Sequence, residues 1–431
     1  MPTASSPDPV ETEAGSNSVV EKSMSSQGNS AILAKEKFQA NLPARIPQLD
    51  GLRGIAIGLV LIFHFFLTPL VYVPGSLIAY ALIPSRLAWT GVDLFFVLSG
   101  FLIGGILLDA REATNYFQVF YIRRFFRIVP IYFLCFGGIY ILNLFFGNAS
   151  NKNFSWLFED HLPWATFPFF IQNFWMAARN SLGSFGLGAT WSLTVEEQFY
   201  LTLPVLARVL NRRRLTFVVI CGILVAPAIR LTFHALWPEK FFSWFVIMPC
   251  RADALFLGVL AAIAVRDQHW KNRLLAHRRS FHVLTPVLLL GLALLTLRGS
   301  AIWSFAMLSF GFTWVAISYV SLLLYAVLFP HSFVGRALCT GWLRWMGAIA
   351  YGTYLFHEFV YGAIYWSLHS RPPKIANWQD VLVSALALAT SLFICRILWL
   401  KFEKPLIAIG HRYHFSPRSG SPILEEVAVK P

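Results

Sequence analysis

Ten long apolar segments recur along the chain, at roughly 52–73, 90–108, 129–146, 190–209, 215–236, 252–265, 283–297, 303–329, 345–368 and 379–400. Repetition near the ~20-residue length that crosses a bilayer leaves few folds open. Hydrocarbon offers no water to a backbone N–H or C=O, so such segments satisfy their own backbone groups as helices. Composition agrees: 57% of the residues are hydrophobic and 13% charged, against about 25% charged in soluble domains. Mean hydropathy is +0.60. Forty Phe and 15 Trp suit lipid-facing surfaces and interfacial belts. The expected fold is all-α, a polytopic membrane protein with about ten transmembrane helices.

Charge sets the orientation. With ten spans and a cytoplasmic N-terminus, 24 of the 35 lysines and arginines fall in cytoplasmic regions and nine outside. That bias follows the positive-inside rule and places both termini in the cytoplasm. An eleventh apolar stretch, 162–176, is short and carries two prolines; as a span it would invert everything after it, so it reads as re-entrant or interfacial. The net charge of +14 is then a property of cytoplasmic loops, and no nucleic acid partner is implied. The bilayer is the expected partner. Residues 1–45 are polar and read as a disordered tail without a cleavable secretion signal. Residues 407–431 read as a short cytoplasmic tail. The five cysteines form no CxxC or CxxH cluster, so neither a disulfide framework nor a zinc site is indicated.

Several polar residues sit where an apolar segment makes them expensive. In Gln48–His64, QLDGLRGIAIGLVLIFH, a helix sets Arg53 and His64 on nearly one face, roughly 16 Å apart along the axis. His64 falls midway along the expected first span. An interfacial anchor plus a hydrogen-bonded histidine accounts for the pair, and so does a functional site facing protein or water. Span two, TGVDLFFVLSGFLIGGIL, carries Asp93 near its outer end and Ser99 deeper. Its Gly100, Gly104 and Gly105 permit close helix packing. In NYFQVFYIRRFFRIVPIYF, Arg123, Arg124 and Arg127 share one helical side. That pattern fits a basic helix held to anionic lipid, or an anion clamp of guanidinium forks. In TWSLTVEEQFYLTLPVL, Ser192 and Glu196 lie one above the other while Glu197 points elsewhere. A helix N-terminus accounts for one glutamate more easily than for two. For Arg251 and Asp253 in PCRADALFLGVLAA, a local ion pair is the simplest account. YGTYLFHEFVYG adds His357 and Glu358, with Tyr351 and Tyr354 expected to hydrogen-bond to neighbouring helices. The outer loop 147–189 is long enough to contact an acceptor, and its Asn148-Ala-Ser150 and Asn153-Phe-Ser155 match the N-glycosylation pattern.

Taken in order, LDGLRG, a first-span histidine, GVDLFFVLSGFLI, FYIRRFFRIVP, WSLTVEEQFYL, RADALFLGVLAA, YGTYLFHE and FEKP resemble the acyltransferase-3 family over roughly residues 46–406. Each fragment is weak alone; eight in order are specific. The resemblance implies a membrane O-acyltransferase that moves an acyl group, acetyl above all, from cytoplasmic acyl-coenzyme A to a hydroxyl of a glycan, a glycolipid or a related acceptor. It implies that Arg53 and His64 are essential. Arg123, Arg124 and Arg127 match the family's arginine motif on the second cytoplasmic loop, and Ser192 with Glu196 its serine-to-glutamate motif. Some members carry a fused C-terminal esterase-like domain; only 26 residues follow Pro405 here, which reads as a stand-alone form. A bacterial inner membrane is the expected location.

The chemistry needed is modest, because a thioester is already activated. His64 is the expected general base, with direct transfer preferred over an acyl-enzyme. Arg53 is expected to serve the donor side, and Glu196 to orient His64 or meet the acceptor. Arg123, Arg124 and Arg127 are expected to hold the donor phosphates. Asp93, Ser192, Glu197, Asp253 and His357 are expected on the acceptor side. No metal or tightly bound cofactor is indicated; acyl-coenzyme A is a co-substrate. A transporter or flippase is the competing reading, although no duplicated halves are visible.

Overall fold

The computed structural model describes residues 46–71, 84–146, 156–158, 162–297 and 302–417. The polar head 1–45, Asn148, Asn153 and the tail beyond 417 lie outside the described residues. Among those described no strand forms, and one isolated bridge joins Leu70 to Ile375. The fold is all-α. Its helices are α1 (Pro47–Ile62, continued by a π turn, Phe63–Leu67), α2 (Gly91–Asp109), α3 (Tyr116–Phe146), α4 (Gln172–Arg179), α5 (Thr190–Val209), α6 (Arg212–Leu236), α7 (Phe241–Phe245), α8 (Met248–Arg266), α9 (Gln268–Ala276) and α10 (Arg278–Leu297). They continue with α11 (Phe312–Leu328), α12 (Phe333–Leu338), α13 (Gly341–His369), α14 (Trp378–Leu398) and α15 (Lys404–His411).

Seven helical stretches among the described residues are long and apolar enough to cross a membrane: Pro47–Leu67, Leu87–Asp109, Tyr116–Phe146, Arg212–Leu236, Phe241–Arg266, Met307–Leu328 and Trp378–His411. The protein is a multi-pass membrane protein. The other three expected spans are helices too, α5, α10 and α13. Glu196, Glu197 and Arg208 lower the hydropathy of α5, as do Arg278, Arg279 and His282 in α10 and His357 with Glu358 in α13. Segment 162–176 yields a 3-10 turn at Trp164–Thr166 and the start of α4. Eight residues of helix reach only about 12 Å, too short to span.

The first span differs from expectation. It begins at Pro47, where proline suits a first helical turn, and its helical hydrogen bonding ends with the π turn at Leu67. His64 therefore stands near the far end of the helix rather than midway.

The chain falls into two compact units. The larger, Arg45–Arg111 with Phe117–Tyr413, holds the helical bundle. In the smaller, whose described residues are Glu112–Tyr116 and 414–417, Asn115 Nδ2 donates to the carbonyl of His414 (2.9 Å) and Asn115 Oδ1 accepts from the N–H of Ser416 (2.9 Å).

Glycine sets two helix crossings in the bundle. A Cβ on Gly100 of α2 would collide with the carbonyl of Leu255 in α8, and one on Gly258 with that of Val97. Likewise a Cβ on Gly54 of α1 would strike the carbonyl of Leu343, and one on Gly347 of α13 that of Asp50. Small residues let these backbones approach, which is how helices associate without a hydrophobic drive between them. Arg266 clamps the ends of α2 and α8 with a fork to Asp109, both bonds at 2.7 Å.

The expected local pair between Arg251 and Asp253 does not form. Arg251 pairs with Asp93 of α2, and Asp253 with Arg230 of α6 at 2.9 Å. Arg230 also donates to the carbonyls of Leu308 (2.9 Å) and Cys250 (2.6 Å), and Thr313 Oγ1 donates to Asp253 at 2.6 Å. The Arg251 guanidinium carbon lies 4.2 Å from the centroid of the Phe312 ring. Two residues apart on one helix, Arg251 and Asp253 point about 200° apart, so each meets a different neighbour. All four charged side chains are buried, and pairing across helices is what makes them tolerable there.

Candidate active site

The site begins where α1 loses its regular geometry. π turns re-aim side chains and are frequent at functional positions. In this one, His64 Nδ1 lies 3.0 Å from the carbonyl of Val60. A carbonyl oxygen only accepts, so Nδ1 carries a proton in this contact. Nε2 lies 3.3 Å from Oε1 of Glu358 in α13. The other carboxylate oxygen, Oε2, accepts the N–H of Ala189 at 3.2 Å, just before α5 begins. Glu358 is thus fixed at both oxygens. His357 packs its ring edge-on against His64, centroids 4.9 Å apart, and its Nδ1 lies 2.8 Å from the carbonyl of Tyr354. His357 is fully buried, whereas the His64 and Glu358 side chains are 23% and 13% exposed.

Polar groups continue from this pair along α5 and α13. Tyr354 donates to the carbonyl of Ala189 (3.1 Å) and shares a 2.5 Å hydrogen bond with Ser192. One turn further along α5, Glu196 Oε2 accepts from Tyr200 at 3.0 Å, and Tyr200 shares a 2.5 Å bond with Ser99 of α2. The Arg124 guanidinium stands 5.9 Å from the Tyr200 ring centroid. Arg53 donates to Asp50 at 3.1 Å, and its charge acts on those of Arg124 and Arg127. Glu196 and Glu197 lie within electrostatic range of Arg124, and Glu403 within that of Arg127. A file of polar groups therefore runs from a histidine–carboxylate pair to a cluster of arginines. Its ends are about 16 Å apart along α1, from the rise per residue between Arg53 and His64.

The structure brings together His64 and His357, and Ser192 and Tyr354, and sets Arg53 within electrostatic range of Arg124 and Arg127. Glu196 and Glu197 belong to the arginine end. Glu196 does not orient His64; Tyr200 takes its carboxylate, and Glu358 takes the histidine. Arg123 turns away from the cluster and donates from Nε (2.9 Å) and Nη2 (2.6 Å) to the carbonyl of Tyr413. Asp93 and Asp253 sit in the buried ion-pair group with Arg251 and Arg230, apart from His64. Glu358 is the residue that sequence reasoning passed over. Its signal was present: a carboxylate deep in an apolar segment needs a partner, and an imidazole is the natural one. Tyr200 had no such mark, and Ser99 and Glu403 lay in marked stretches with no role assigned to them.

These features define a class: a helical membrane protein whose interior joins a histidine–carboxylate pair to a cluster of arginines. A family model described as an acyltransferase domain matches residues 46–400, and the chain belongs to this acyltransferase-3 family. It is 28% identical over 388 residues to the peptidoglycan O-acetyltransferase OatA of Listeria monocytogenes, covering 86% of this chain and 57% of that protein. It is 27% identical over 327 residues to the putative peptidoglycan O-acetyltransferase YrhL of Bacillus subtilis, covering 72% and 48%. A putative O-acetyltransferase of Staphylococcus aureus strain COL matches at 32% over 170 residues, covering 37% and 24%. The chain spans about half the length of the first two relatives. No solved structure matches it.

Proposed function

We propose that the protein is an O-acyltransferase of the bacterial plasma membrane that transfers acetyl from cytoplasmic acetyl-coenzyme A to a hydroxyl of a cell-wall or related glycan. His64 acts as general base: Nε2 takes the proton of the acceptor hydroxyl as its oxygen attacks the thioester carbonyl. The tetrahedral adduct collapses with loss of the coenzyme A thiolate, to which the imidazolium returns the proton. Glu358 holds the ring and offsets the positive charge that forms on it. Arg53, Arg124 and Arg127 supply the guanidinium groups that phosphates require. An extended pantetheine arm bridges the distance between them and His64, and the polar file of Tyr200, Glu196, Ser192 and Tyr354 marks its course.

The observation that carries this reading is the His64–Glu358 pair at 3.3 Å, partly exposed, in a membrane helix. In the neutral ring with its proton on Nδ1, Nε2 bears the lone pair, and the carboxylate beside it stabilises the ring once protonated. The saccharide acceptor is supported by the names of the relatives. The test uses purified protein with acetyl-coenzyme A and a glycan acceptor, following acetylated product by mass. His64→Gln, which can keep a structural hydrogen bond but cannot act as a base, is expected to lose the ~100- to 10,000-fold that a general base contributes. Near-normal transfer by His64→Gln would end the proposal.

A further inference from the structure

Three hydrogen-bond acceptors converge beside His64. Both histidines turn Nδ1 to a backbone carbonyl, His64 to Val60 (3.0 Å) and His357 to Tyr354 (2.8 Å). With the ring protons there, both Nε2 atoms carry lone pairs. His64 Nε2 faces Glu358 Oε1 at 3.3 Å, and His357 Nε2 is buried with no hydrogen-bond partner among the described residues. One ligand atom from each of His64, His357 and Glu358 lies within 4.8 Å of the other two. Two imidazole lone pairs and a carboxylate oxygen, gathered without a proton donor among them, form a cation site.

The geometry fits a transition metal. Zinc bonds to nitrogen and oxygen of about 2.0–2.2 Å at tetrahedral angles separate neighbouring ligand atoms by roughly 3.3–3.6 Å. The His64–Glu358 separation of 3.3 Å is already one such edge, and with all three ligand atoms within 4.8 Å of one another an ion has to draw the widest pair in by roughly an ångström. Histidine ligands are held by donating the other ring N–H to a carbonyl or carboxylate, and both histidines do so here. Two imidazoles with one carboxylate suit Zn2+ and leave a fourth position open. The partial exposure of His64 and Glu358 provides an entry path. Sequence spacing cannot reveal such a set, since His64 and His357 lie on the first and the ninth of the ten apolar segments.

We propose that His64, His357 and Glu358 bind one Zn2+, and that the bound ion takes the His64 lone pair and halts acyl transfer. The inhibition rests on the reading of His64 as base; the binding does not. Full-length protein in detergent micelles, freed of metal by a chelator, is titrated with Zn2+ alone and in parallel with Co2+. One ion per chain is expected, with the intense visible Co2+ absorption of a four- or five-coordinate site. His357→Ala and, at a partly exposed position, His64→Gln are each expected to weaken Zn2+ binding at least about tenfold, with micelle size and thermal unfolding reporting that each variant is folded. Absence of saturable Zn2+ binding to the wild type overturns the site, as does equal affinity in both variants or a six-coordinate Co2+ spectrum. Full transfer with Zn2+ bound overturns the inhibition. Binding is read without donor or acceptor, so a failure of acyl transfer itself would remove the functional reading and leave the metal result standing.

Discussion

Glu358 places one carboxylate oxygen 3.3 Å from Nε2 of His64 and gives the other to the backbone N–H of Ala189. The contact ties the far end of α1 to α13 and to the start of α5. Glu358→Gln keeps the acceptor for Ala189 but removes the charge that stabilises a protonated imidazole. It is expected to lower the transfer rate at saturating donor by a large part of the ~100- to 10,000-fold general-base effect, with donor affinity unchanged. A fall in donor affinity with an unchanged rate would move Glu358 out of the proton-transfer step.

The arginines divide by position. Arg124 and Arg127 act on Arg53, whereas Arg123 is bonded to the Tyr413 carbonyl. Arg124→Ala and Arg127→Ala are each expected to weaken acetyl-coenzyme A binding by about 1.5–3 kcal/mol, the value of a hydrogen bond to a charged group, or roughly 10- to 150-fold. Arg127→Lys keeps the charge, loses the fork and is expected to fall between. Arg123→Ala is expected to leave donor affinity within about twofold of the wild type, since one lost carbonyl contact at the surface is worth little. Calorimetry with the intact donor reads all four. A larger effect at Arg123 than at Arg124 would place the phosphates elsewhere.

Asp253 has two readings, as an acceptor-side residue and as the buried counter-ion of Arg230. Asp253→Ala leaves a fully buried guanidinium unpaired, a change that typically costs about 3–5 kcal/mol. Reduced thermal stability in detergent is expected, recovered in large part when Arg230 is also replaced by Met. A fully stable Asp253→Ala protein that no longer transfers acetyl would favour the acceptor-side role.

The topology proposal is ten spans with both termini cytoplasmic, from the lysine and arginine asymmetry. Among the cysteines, Cys135, Cys250 and Cys395 are buried, so a background lacking Cys221 and Cys339 is suited to labelling from outside intact cells. Cysteine at Arg179, the exposed last residue of α4, is expected to react, and cysteine at Gln268 in α9 to stay protected. The opposite pattern would reverse the protein in the membrane.

The sequence by itself determined the helices. Apolar segments of bilayer length have one way to satisfy their backbone, and each of the ten contains a helix among its described residues. It also marked the positions where polarity is expensive: Arg53, His64, Glu196, Glu197, Asp93, Asp253, His357 and Glu358. It did not determine which of them meet. Arg251 and Asp253 are neighbours in sequence, yet each pairs with another helix, because a helix turns about 100° per residue. His357 and Glu358 are adjacent, and the packing of α13 against the π turn of α1 gave Glu358, not Glu196, to His64. Partner choice depends on crossing geometry, where Gly54 and Gly347 bring α1 and α13 close enough for these contacts. That closeness belongs to tertiary packing, and periodicity along a single helix carries no record of it.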